Sequence, residues 1–252
     1  MTEMAWLAGT APHAMLSFLG LRAGERKRRL FACACCRRLW AWLRDERSRN
    51  AVLTAERYAD GLASRAELES AWRAARAAVE SAWAAARSAR ATAAAETWVA
   101  SFTKAKARTE EAERARAAEA EAGAAQAAEH AADFALYRRT ANVVIERFYP
   151  PTAEDASVRA RRELEHQGAL LHDLFGNPFR PALLDSAWLT PIVTALAQAA
   201  YQERDLSSGY LDPARLAVLA DALEEAGCTT DADVLGHLRG PRPHVRGCHV
   251  LD

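Results

Sequence analysis

Near its C-terminal end the chain gathers Cys228, His237, His244, Cys248 and His249, residue types that ligate transition metals. A zinc site takes four nitrogen or sulfur ligands, commonly from two close pairs. His244 and Cys248 make one such pair. Cys228 and His237 stand wider apart than the usual spacing, and no C-x-x-C occurs. Cys228, His237, His244 and Cys248 are therefore a candidate zinc set. The plainer account is a buried cysteine in a loop, with histidines facing solvent beside prolines. No cofactor is expected, with zinc as the alternative.

A second constellation lies on a helix expected over residues 25–44. At 100° per residue Phe31, Cys35, Leu39 and Trp42 share a narrow arc, the expected core face. Arg26, Arg29, Arg37 and Arg44 line the other side, with Cys33 among them and Trp40 at the edge. Such a stripe suits an anion or a nucleic acid, with arginines on phosphates and Trp40 stacking. The plainer account is a solvated face whose arginines pair with glutamates of neighbouring helices. Cys33 among cations would be a reactive thiol if exposed, and otherwise a small filler of the core.

Known catalytic signatures are sparse. No phosphate-binding glycine loop, G-x-S-x-G or H-E-x-x-H is present. Ser101 and Lys104 match S-x-x-K by chance alone, without the partner motifs. Glu163, Glu165, His166, His172 and Asp173 offer acid and base groups, but an ordinary surface pair on a helix accounts for them. The chain leans towards a non-enzymatic role.

The elements that must position these groups are helices. Nothing alternates with period two for long enough to make a strand. Three regions emerge. Residues 1–62 hold a helix start at Pro12, the helix over 25–44 and another over 46–60. Residues 63–149 are rich in alanine and charge. They open with a capping box, Ser64 and Glu67, and carry no proline and no glycine before Gly123. Segments 71–81 and 82–92 match at several positions, eleven residues apart, which is near the helical period. Trp72, Val79 and Trp83 then share a face that would suit a partner helix. Residues 104–130 lack large apolar anchors and are expected to form a solvated or mobile helix. Phe134, Tyr137, Ala141, Val144 and Phe148 make an apolar stripe. Residues 150–252 hold helices near 154–175, 190–204, 213–226 and 231–238, then a tail too rich in breakers for helix. Trp6 and Trp188 read as core residues, Trp188 as a staple before the start at Thr190–Pro191.

Lysine plus arginine equals aspartate plus glutamate, 33 each, so the whole molecule has no charge to draw it to nucleic acid or membrane. The uncharged stretch 4–21 contains Gly9, Thr10, Pro12, His13 and Ser17 with no basic residue before it, which argues against a span or a signal peptide. Five cysteines, three within one helical turn, suit a reducing compartment, and the expected location is cytoplasmic.

Both ends of the chain resemble an uncharacterised family of planctomycete proteins. The N-terminal resemblance rests on residues 3–7 (EMAWL), 15–19 (MLSFL), 26–40 (RKRRLFACACCRRLW), 45–49 (DERSR) and 55–61 (AERYADG). The C-terminal one rests on 174–181 (LFGNPFRP), 187–191 (AWLTP), 219–228 (LADALEEAGC), 239–241 (RGP), 243–248 (PHVRGC) and 250–252 (VLD). The family carries Trp where this chain has His249. The resemblance implies an intracellular protein and brings no established activity.

The expected fold is all-α: a helical bundle formed by the N- and C-terminal parts, with a long alanine-rich hairpin or arm between them. The expected function is an interaction or scaffold module, binding another protein or itself through Trp72, Val79 and Trp83. A nucleic-acid or anion binder using the arginine stripe and a small zinc protein are the alternatives.

Overall fold

A computed structural model describes residues 1–100, 108–132, 154–182, 184–229, 232–241 and 243–252. The described residues form ten α-helices and no named strand. They are α1 (Glu3–Ala8), α2 (Pro12–Leu19), α3 (Glu25–Arg37), α4 (Glu46–Ala59), α5 (Arg65–Ala100), α6 (Arg108–Ala132), α7 (Glu154–Phe175), α8 (Pro191–Gln202), α9 (Pro213–Glu225) and α10 (Ala232–Leu238). No described helix is long and apolar enough to cross a membrane. The chain divides into two compact units, one of Met1–Ala34 with Arg161–Asp252, the other of Cys35–Ala160. The first is thus built from both ends of the sequence, but its N-terminal share stops at Ala34, well short of residue 62.

Local chemistry starts the helices where the sequence places them. Ser64 and Glu67 close the capping box: the Ser64 backbone N–H donates to Glu67 Oε2 (2.7 Å), and the Glu67 N–H donates to Ser64 Oγ (3.2 Å). Thr190 caps α8 through the Val193 N–H, with Pro191 in the first turn.

In the second unit α6 packs along α5, and α4 packs on both. The contact is made of alanine: Ala71, Ala75, Ala78 and Ala86 of α5 are buried, as are Ala115, Ala122, Ala124, Ala125, Ala127 and Ala128 of α6. The helix expected to be solvated or mobile over 104–130 is instead buried along residues 122–128, with Ala115 one isolated buried position before them. Large anchors are unnecessary where small faces meet, because two helix axes then approach closely and exclude water with methyl groups alone. Val79 is buried, while Trp72 and Trp83 are half-buried, so the proposed partner face is largely occupied within its own unit. The stripe 134–148, the S-x-x-K segment and residues 104–107 lie outside the described residues.

The first unit relies on large side chains. Trp6, Met15, Phe31, Leu170, Leu171, Leu174, Leu216 and Leu238 are fully buried. Gly9 and Gly168 let α1 meet α7 backbone to backbone; a Cβ on Gly168 would lie 1.8 Å from the Gly9 carbonyl oxygen. A second cluster joins α8, α9 and α10 to the tail and includes Val193, Leu219, Leu223, Cys228 and Val250. Trp188 packs against it.

Helix α3 ends at Arg37, short of the expected 44. Bonds of the i→i+3 type take over, from Leu39 N to Cys36 O (2.9 Å), Trp40 N to Arg37 O (3.1 Å) and Trp42 N to Leu39 O (2.8 Å). This tighter winding keeps Leu39 and Leu43 buried and brings Trp42, expected in the core, out to 38 % exposure.

Candidate metal centre

The C-terminal turn of α7 delivers the central group. Glu163, Gln167, Leu170, Leu171 and Leu174 follow helical spacing and bury one face of α7 in the first unit. Asp173 sits at the end of that helix, wholly buried. A carboxylate there faces the negative end of the helix dipole and has lost its water, so it needs hydrogen-bonding partners. It has three. His244 Nδ1 lies 2.9 Å and His237 Nε2 3.1 Å from Asp173 Oδ1, and the Val245 N–H donates to Oδ2 at 2.8 Å. Burial alone would push the Asp173 carboxyl up. The two imidazoles outweigh it and hold the group below the usual carboxylate range.

The tail brings its share without a helix. Leu211 N donates to His244 O (2.9 Å), and Tyr210 and Val245 form a single antiparallel bridge. Gly247 takes φ +91°, and a Cβ on it would strike Leu30 and Leu174. The turn that follows, with Cys248 N donating to Val245 O (3.1 Å), carries the Cys248 thiol to 3.1 Å from His237 Nε2. Burial, then the Asp173 charge, pushes that thiol well above its ordinary pKa. Asp173, His237, His244 and Cys248 thus present one oxygen, two nitrogens and one sulfur, all within 4.8 Å of one another. His244 Nε2 is buried without a hydrogen-bond partner among the described residues.

His249 braces the group. Both its backbone N–H and its Nδ1 engage the Asp173 carbonyl, at 2.8 and 2.9 Å. Burial, then the neighbouring His237, pushes its pKa down to about 4, so the ring is neutral at pH 7. Its ring stacks edge-on against His237, 4.3 Å between centroids. Gly176, at φ +61°, ends α7 and leaves room for that ring, since a Cβ would come within 2.6 Å of it. Beside these two rings opens a cavity of about 380 Å³, to which Gly236 of α10 also contributes. Of the four convergent residues only His237 lines it.

Three of the four residues singled out by sequence therefore meet. Cys228 does not belong to the group; it is buried in the apolar cluster of α8, α9 and α10. Asp173 takes its place. The sequence offered Asp173 only as one of the acid and base groups with Glu163, Glu165, His166 and His172, because 64 residues separate it from His237 and no local spacing links them.

Each arginine of the stripe has a carboxylate nearby, though the Arg44 side chain stays 68 % exposed. Arg26 pairs with Asp252, Arg29 with Glu25 (3.2 Å) and Arg44 with Glu121 (3.9 Å). Arg37 is buried and forked onto Glu56, with Nε to Oε1 at 2.5 Å and Nη2 to Oε2 at 2.7 Å. Trp40 lies against the guanidinium groups of Arg37 and Arg49 rather than presenting a free face. All five cysteines are buried, Cys33 among them, as befits filler rather than a reactive thiol.

No family model, no curated protein and no solved structure matches the chain.

Proposed function

We propose that the first unit is a zinc-binding helical body, with Asp173, His237, His244 and Cys248 as the ligands. One observation carries this reading: four donor atoms of the types zinc prefers, drawn from α7, α10 and the tail, converge in a buried place. Bond lengths of about 2.0–2.3 Å in a tetrahedron need donors about 3.3–3.6 Å apart. The three hydrogen-bonded pairs, at 2.9 and 3.1 Å, would open by a few tenths of an ångström, and the wider pairs, which reach up to 4.8 Å, would close by about 1 Å.

Charge supports the same reading. Zinc with one carboxylate, one thiolate and two neutral imidazoles sums to zero, the least costly state for a buried cluster. Metal would replace the proton of Cys248, and proton release would accompany binding. The Val245 N–H on Asp173 Oδ2 fixes the carboxylate in the way that outer hydrogen bonds orient metal ligands. The metal would pin an irregular tail to a helix end, which makes its binding energy folding energy for this unit.

The test is metal content after purification without a histidine tag, joined to cobalt substitution. Wild-type protein is expected to hold one zinc per chain. Its cobalt form is expected to show tetrahedral d–d bands and a thiolate charge-transfer band, and Cys248→Ser removes the latter. Protein that is folded yet takes up neither zinc nor cobalt at micromolar concentration overturns the proposal.

A further inference from the structure

Resting on that zinc reading, we infer that His237 is an exchangeable ligand, and that the cavity beside it admits a small oxygen-donor ligand, of the hydroxamate class, to the metal. The four ligands are not held alike. Asp173 and Cys248 are wholly buried and the His244 side chain is 1 % exposed, whereas the His237 side chain is 7 % exposed and forms part of the cavity wall. Asp173 is fixed through Val245, and His244 and Cys248 belong to one turn bonded to Leu211 and Val245. His237 instead rides on the seven-residue helix α10.

Three enclosed ligands with a fourth position towards a cavity is the arrangement that lets a bound metal meet exogenous molecules. A volume of about 380 Å³ is at the small end of ligand pockets. His249 shapes the ligand's chemistry. Its Nδ1 is engaged with the Asp173 carbonyl, so in the neutral ring Nε2 is the acceptor. An oxygen donor that keeps a hydrogen when it binds metal, such as a hydroxamate, satisfies the metal and this nitrogen together. Gly236 keeps the space open: a Cβ placed there meets nothing within 4 Å.

The probe is acetohydroxamate, titrated into the cobalt-substituted full chain while the d–d bands are recorded. The wild type is expected to shift from a four-coordinate to a five-coordinate or ligand-exchanged spectrum. Gly236→Leu fills the cavity without touching a ligand atom, and is expected to weaken the response about tenfold or more while leaving the starting spectrum intact. A tetrahedral cobalt spectrum that acetohydroxamate leaves unchanged overturns this inference while sparing the zinc reading. A response of equal affinity in Gly236→Leu overturns the cavity as the route. Should Gly236→Leu not fold, His237→Ala decides it: bound cobalt that recovers a nitrogen-ligated spectrum with free imidazole supports an exchangeable fourth place, and complete loss of cobalt overturns it. Absence of any cobalt spectrum in the wild type removes the zinc reading and this inference together.

Discussion

The two units bury their interiors by opposite means. The second is held by the repetition of one small side chain along two long helices, and its single described buried charge pair, Arg37 with Glu56, is an exception within it. The first uses few residues more than once. Large rings and branched chains interlock there, and a carboxylate, two imidazoles and a thiol lie together at the interior end of one helix. Alanine packing tolerates sequence drift along the helix but not bulk. The mixed interior of the first unit tolerates neither, because the buried Asp173 carboxylate depends on His237, His244 and the Val245 N–H.

The largest expected effect probes the exception. Arg37→Met leaves the Glu56 carboxylate buried without its guanidinium, and breaking such a pair costs about 3–5 kcal/mol. Urea unfolding followed by circular dichroism, which senses the long helices most, is the measurement. The double variant Arg37→Met, Glu56→Leu should recover most of the loss. If Arg37→Met alone is neutral, the second unit is as indifferent to charge as its alanine faces suggest.

A smaller effect sharpens the contrast in shape. Ala124→Leu inserts a branched chain where α6 is fully buried, and overpacking of this kind costs about 1–3 kcal/mol. The same denaturation experiment reads it. No change in midpoint would mean that the two helices separate easily, and that the close alanine contact contributes little.

The smallest effect separates the units by acidity, in protein kept metal-free with a chelator. Unfolded histidine takes up its proton near pH 6.5, whereas His249 in the fold resists it down to about 4. Between those values the unfolded chain binds more protons, so the stability of the first unit falls as pH drops through that window. Asp173, held low, contributes stability present above the ordinary carboxylate range and lost as pH falls through its folded value. The second unit has a single histidine in its sequence, His130. Tryptophan fluorescence in urea at stepped pH should show the early loss in the wild type and a flatter profile in His249→Gln. An identical slope in both would remove His249 as its source.

The helices were legible in the sequence because their signals are local. The Ser64–Glu67 box, Thr190 with Pro191, and the alanine-rich run each act within a turn or two, and the structure realises them. What sequence could not supply was distance. The partners of Arg37 and Asp173 lie 19 and 64 residues or more away, so the sequence could suggest that the stripe is paired but not name its partners, and the group around Asp173 was seen without its carboxylate. The early end of α3 belongs to the same class. No glycine or proline marks Arg37, and the winding changes there to keep Leu39 and Leu43 inside.

The first unit is discontinuous: residues 1–34 are completed only by residues 161–252. On a ribosome, therefore, α1 to α3 emerge early and must wait, with Trp6 and Phe31 uncovered, while the whole alanine-rich unit is made and can fold first. His237, His244 and Cys248 come out later than Asp173. Translation thus imposes an order in which apolar residues of segment 1–34 wait for their partners in 161–252, and an arrest introduced before residue 237 should leave a nascent chain with one folded unit and a sticky, uncovered segment 1–34.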